Sequence, residues 1–221
     1  MNFQCSGHKM GAINSDNSFK TLHVITPTYT RATQLAELTL LAQALAHIPY
    51  LQWIVLEVTK TKLVTDFLGS TNIQYTHLDS EGKVKSGNKC NALRNIALDY
   101  LVTSGNSSGV VLFANLDRTY SSELFDKVRD IEKVGVWPTV FSEEEFVCNP
   151  LQFKLASPKY PINLGSVGFN STALLKTARR FDVNLSDTEG ISSLVEGLVS
   201  GNEEITVISC DGQFVWFTPI F

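Results

Sequence analysis

Two short runs, LQWIVLE over residues 51–57 and GVVLFANLD over 109–117, constrain the fold of this chain more than any other feature. The first is almost fully apolar. A strand of that kind is buried on both faces, as happens when helices return over each side of a parallel sheet. The segments around these runs fit the same plan. Residues 22–25 read as a strand stopped by Pro27 in TPTYTR. Over 31–46 apolar and alanine positions recur at helical spacing, and Pro49 closes the segment. A short helix is expected over 61–68, a third strand over 73–78, a helix over 88–102, and the central strand over 109–117. This alternation predicts an α/β class, with a mostly parallel central sheet, helices on both faces, and a ligand site at the carboxyl ends of the strands. Further along, the pattern predicts a helix over 122–132, a strand over 135–137 and a loop-rich stretch over 141–160. It then gives a strand within 162–169, helices near 171–179 and 189–199, and strands near 205–209 and 213–218.

With 221 residues, 43% of them hydrophobic and 18% charged, the chain suits one globular domain. Residues 1–20 are polar and irregular and are expected to be disordered or stem-like, ahead of a single domain over 21–221. A net charge of -4 argues against nucleic acid as the main partner, since phosphate binding leaves a basic patch or stripe. No apolar run long enough for a membrane span or a signal peptide is present, so these residues read as soluble. Cys5, Cys90, Cys148 and Cys210 lie far apart with no C-x-x-C pair, and the four histidines show no metal-ligand spacing. Sequons begin at Asn106, Asn170 and Asn184. There is no P-loop, dinucleotide fingerprint or G-x-S-x-G elbow, which removes kinase, NAD-dependent and serine-hydrolase readings. Glu143, Glu144 and Glu145 read as a solvated acidic turn.

Two places remain where chemistry can sit. The turn TPTYTR places Pro27, Tyr29 and Arg31 at a strand edge, where amides and an arginine can meet an anion; the alternative is a proline turn with Arg31 as a solvated helix-start residue. Asp117 ends the apolar strand, where a carboxylate can hold a divalent cation against diphosphate oxygens. The alternative there is a turn leading into the next helix, capped by Thr119 or Ser121.

Several blocks in order resemble the family 43 β-1,3-glucuronyltransferases: ITPTYTRATQLAELTLLAQAL (25–45), IPYLQWIVLE (48–57), LRNIALDYL (93–101), GVVLFANLDRTYSSELFDKVR (109–129), VGVWP (134–138), PINLGSVGFN (161–170), ISSLV (191–195) and VWFT (215–218). The resemblance covers most of the chain, and the first and fourth of these blocks are the most specific. It implies a nucleotide-diphospho-sugar transferase fold of GT-A type, with a donor half over 21–120 and an acceptor half over 121–221. It further implies UDP-glucuronate as donor, Mn2+ as cofactor, the terminal galactose of a proteoglycan linker or glycoprotein glycan as acceptor, a homodimer, and a Golgi location through a membrane anchor. By the same resemblance a glutamate serves as general base while metal and basic groups stabilise the departing UDP.

Carried over residue by residue, Pro27, Tyr29, Arg31 and Arg94 match donor-binding positions. Lys89 stands where the family has an arginine, and Asp117 matches the metal-binding last aspartate of the DDD motif. Asn115 and Leu116 replace the first two aspartates, and Val58 replaces the uracil-contacting one. Asn163 stands at the acceptor-binding aspartate, Phe217 and Pro219 at the His and Arg of WHTR, and Ile191 at the general base. Glu189, two residues before Ile191, is the candidate substitute base, although helix geometry would turn it to another face. The resemblance therefore leaves three functions open: an active glucuronosyltransferase, a catalytically silent member binding a glycan or a partner, and a transferase with a changed donor.

Overall fold

In the computed structural model, residues 19–84, 86–105, 108–137, 164–208 and 214–217 are described. Strands β1 (Leu22–Pro27), β2 (Leu51–Glu57), β3 (Tyr75–Asp79) and β4 (Val110–Phe113) alternate with helices α1 (Gln34–Leu45), α2 (Lys62–Ser70) and α3 (Lys89–Thr103). Next come β5 (Arg118–Tyr120), α4 (Ser122–Lys127), β6 (Val134–Val136), β7 (Val167–Asn170), α5 (Ser171–Lys176), α6 (Asp187–Leu198), β8 (Ile205–Val207) and β9 (Val215–Phe217). The main sheet runs in the order β3-β2-β1-β4-β7-β6-β8. Its β3-β2-β1-β4 part is parallel, β7 runs antiparallel to both neighbours, and β8 is parallel to β6. A separate ribbon pairs β5 with β9.

Burial on both faces follows the strand period of two. Leu22 and Val24, Leu51, Trp53 and Val55, and Val110 and Leu112 pack into one apolar cluster with Leu38, Leu41 and Leu45 of α1 and Val64 and Leu68 of α2. Their alternates Ile25, Ile54, Leu56, Val111 and Phe113 pack into a second with Leu93, Leu98 and Leu101 of α3 and Leu194, Val195 and Leu198 of α6. This is the expected sheet with helices on both faces, and β4 is its middle strand.

Side-chain caps set where several helices begin. Asn88 accepts from the backbone of Asn91 at α3, and Ser121 from Glu123 at α4. At α6, Ser186 and Glu189 form a reciprocal capping box, so the helix starts at Asp187 rather than near 189. The central strand stops at Phe113 instead of reaching 117, because Asn115–Asp117 turns toward the unforeseen ribbon strand β5. The helix expected over 122–132 gives way after Lys127 to a 3-10 turn, Val128–Asp130. The acidic turn at 143–145, the loop stretch over 141–160 and most of the 1–20 segment lie outside the described residues.

Candidate functional site

Strand β1 leads the chain out to β2 and β3 on one side, and β4 returns on the other, so β1 and β4 are neighbours across a topological switch point. In open α/β sheets the crevice at the carboxyl ends of such strands is where ligands bind. A cleft of about 250 Å³ opens there, lined by Pro27, Tyr29, Arg31, Cys90, Arg94, Asn115, Leu116, Asp117 and Asp187. Six of the seven donor-binding residues expected from the sequence meet in it. Lys89 is exposed at the first position of α3 and is not in the lining.

Local bonding shapes each wall. After β1, the guanidinium of Arg31 lies over the Tyr29 ring, 4.3 Å from its centroid, and pairs with Glu37 through two hydrogen bonds. Arg31 is therefore a partnered residue of the wall and not a solvated one. After β4, the Tyr120 hydroxyl accepts from the Asn115 N–H at 2.8 Å and reaches the Asn115 carbonyl at 3.4 Å, clamping the turn from the ribbon side. Burial pushes the Tyr120 phenol far above its ordinary range, so it stays protonated and able to donate. Leu116, expected at the second position of the DDD motif, packs into the apolar cluster beneath. Val58 is partly buried against the cluster on the other face.

The third wall comes from α3 and α6. Asparagines 88, 91 and 95 lie along one face of α3 and hold the loop before α6. Asn88 takes the Val183 carbonyl through its backbone at 2.6 Å and the Leu185 carbonyl through its amide at 3.2 Å. Asn91 donates to the carbonyls of Asp182 and Leu185, and Asn95 exchanges a pair of hydrogen bonds with the backbone of Phe181. This loop delivers Asp187 to Arg94, whose side chain is 1% exposed. Nη1 of Arg94 donates to Asn91 Oδ1 at 2.8 Å and Asp187 Oδ1 at 3.0 Å; Nη2 donates to Asn115 Oδ1 at 3.3 Å and Asp187 Oδ2 at 3.1 Å. Burial pushes the Asp187 carboxyl up, but the Arg94 hydrogen bonds and charge, with the Asn88 amide, more than offset this and leave it below the usual carboxylate range. Burial raises the Cys90 thiol, against the lowering effect of nearby Arg94.

Asp187 was not among the residues picked from the sequence. Its partner is 93 positions away, and the one local signal, the S-x-x-E pattern from Ser186 to Glu189, marks a helix start and not a ligand. Glu189 spends its carboxylate on that capping box, accepting from the Ser186 N–H and hydroxyl at 3.0 and 2.7 Å. Those bonds hold it below the usual range, and it does not line the cleft. Ile191, expected from the resemblance to stand at the base position, is fully buried in the apolar core. Asn163 and Pro219 lie outside the described residues.

Among the described residues, no three His, Cys, Asp or Glu side chains converge on one point. Asp117 nonetheless keeps a buried carboxylate oxygen, Oδ1, with no hydrogen-bond partner, 3.4 Å from Arg118 Nε. Small divalent cations are often held by one or two carboxylates together with substrate phosphates. The residues fit a cation that arrives with a diphosphate and takes Asp117 as its protein ligand, and they do not make a cage for a resident ion.

The model of glycosyltransferase family 43 matches residues 41–219. The chain belongs to that family. It is 40% identical over 141 residues to human galactosylgalactosylxylosylprotein 3-beta-glucuronosyltransferase 1, covering 57% of this chain and 42% of that relative. The mouse 3-beta-glucuronosyltransferase 3 of the same name is 32% identical over 234 residues, covering 90% of this chain and 70% of the relative. Among solved structures, S. aureus TarS residues 1-349 superposes with a TM-score of 0.61 at 18% identity, covering 90% of this chain and 60% of that one. The Pyrobaculum calidifontis mannosyltransferase PcManGT, in complex with GDP-Man and Mn2+, gives 0.55 at 16% identity, covering 85% and 56%. At such identities the structures speak for the GT-A-type fold alone. Among the described residues of this chain, no helix is long and apolar enough to cross a membrane.

Proposed function

We propose that this chain is a β-1,3-glucuronosyltransferase-type protein of the Golgi lumen. Its cleft takes UDP-glucuronate, and its acceptor is the terminal galactose of a proteoglycan linker or glycoprotein glycan. Manganese enters with the diphosphate at Asp117, and the protein works as a homodimer. The observation that carries this reading is the cleft at the β1/β4 switch point, where Tyr29, Arg31, Arg94, Asn115 and Asp117 come together from segments far apart in the chain. Bound metal would offset charge building up on the leaving diphosphate. The chain's own part is to seat the nucleotide against Tyr29 and Arg31 and to offer the Asp117 carboxylate, whose side chain is 47% exposed.

A second reading, a silent member that binds a glycan or a protein partner, is favoured by one observation: Ile191, expected at the base position, is a core residue, and the neighbouring Glu189 is committed to a helix cap. Loss of a positioned base costs about 10²–10⁴ in rate. Calorimetric titration of UDP with and without manganese separates the two. Metal-dependent binding that Asp117→Ala abolishes, followed by glucuronate transfer to a galactoside, supports the transferase; no binding at millimolar UDP sinks it.

A further inference from the structure

Arginine has five N–H donors. At Arg94 the four terminal ones are taken by Asn91, Asn115 and both oxygens of Asp187, and the fifth, on Nε, is buried without a hydrogen-bond partner. The four terminal donors are thus all spent within the protein, and the unpaired Nε is closed off by burial. The Asp187 carboxylate lines the cleft, is 40% exposed, and accepts at 2.9 Å from the amide of Asn88, the residue that caps α3. It thus lies beside the positive end of a fifteen-residue helix and against a guanidinium, where a ligand phosphate would gain most. The other arginine is also engaged, since Arg31 is paired with Glu37. Across the lining, Arg31 and Arg94 against Asp117 and Asp187 sum to zero formal charge.

We propose that Asp187 is the specificity-determining residue of this cleft, an internal anion that occupies the phosphate position on Arg94. A nucleoside diphosphate gains Arg94 only by displacing it. This inference rests on the donor-cleft reading above. It assigns the nucleoside and sugar portions, and not the diphosphate, as what the unaltered cleft recognises.

The test compares UDP with uridine by calorimetry, on the unaltered chain and on Asp187→Asn and Asp187→Ala, with thermal melting to verify that each variant folds. Charge-assisted, two-pronged contacts to a phosphate are the strong ones. Freeing Arg94 should therefore tighten UDP by about tenfold or more, equivalent to about 1.4 kcal/mol, and leave uridine unchanged. In metal-free buffer, where Asp117 cannot hold the diphosphate through a cation, UDP and uridine should bind the unaltered chain within about threefold of each other, a difference of roughly 0.65 kcal/mol. A purely structural ion pair would lower the melting temperature of the variants without changing the UDP-to-uridine ratio, and that result overturns the proposal. If neither variant folds, UDP binding far more tightly than uridine to the unaltered chain overturns it as well. UDP binding equal in all folded proteins refutes the role of Asp187 while leaving the donor cleft standing. No UDP binding to any of them, even with Arg94 freed, removes the donor-cleft reading and this inference together.

Discussion

Replacing Tyr120 with phenylalanine removes one oxygen atom and tests what shapes the turn after β4. The ring is 7% exposed and packs at 6.3 Å from Phe125, and phenylalanine keeps that contact. What goes is the acceptor for the Asn115 N–H at 2.8 Å and the weaker link to its carbonyl at 3.4 Å. Leaving a half-buried amide without a partner costs about 1–3 kcal/mol. For a domain of this size each kcal/mol moves Tm by about 2–4 °C, so the variant should melt about 2–12 °C lower. The effect should reach the cleft, because Asn115 also accepts from Arg94 through its side chain, and UDP binding should weaken in the same preparation. Thermal melting followed by circular dichroism, with urea denaturation alongside, gives the number. A Tm within about 1 °C of the unaltered protein would mean that water satisfies the Asn115 amide and that the hydroxyl does not shape the turn.

Ile191→Glu should not restore a base: the site is sealed in apolar core, where an unpaired charge costs about 3–5 kcal/mol, so urea denaturation should show that loss and no gain of transfer. A stable Ile191→Glu protein that transfers glucuronate would show that the position opens onto the cleft. Acidification should weaken the fold through His23 and His77. Burial lowers both, only partly offset by the Ser108 carbonyl and Gln52 at His23 and by Glu57 at His77. The unfolded chain then takes up protons first, so the stability these groups contribute is full above about pH 6.5 and is lost as pH falls from there through the folded-state values. The urea midpoint should drop between about pH 7.5 and 5.5, and His77→Asn should flatten part of that slope. A midpoint that rises on acidification would contradict the assignment.

Most of the sheet was legible because its strands are buried on both faces. Leu51–Glu57 appears with the bounds its apolar run predicts. Of the ribbon, β9 lies within the strand expected near 213–218, whereas β5 and the pairing were not legible: three residues carry no periodicity, and RTY pairs with a segment nearly a hundred positions later. Within GVVLFANLD the turn at Asn115 could not be told from more strand, since what ends the strand there is a hydroxyl on Tyr120. At the cleft, the residues on strand ends were readable from local motifs. Asp187 was not, because its meaning lies in a guanidinium on another helix. Glu189 reverses the case: its neighbourhood to Ile191 suggested chemistry, while its spacing from Ser186 fixed it as a cap.

The three asparagines along α3 also bear on motion. The loop from Phe181 to Leu185 is tied to the helix by hydrogen bonds from all three amides, and Leu93, Ala97 and Leu98 of the same helix are buried in the core. To swing away, the loop would have to break these bonds together, which makes loop and helix one cooperative unit in local opening. The wall of the cleft that carries Asp187 therefore opens together with α3 and not as a separate flap.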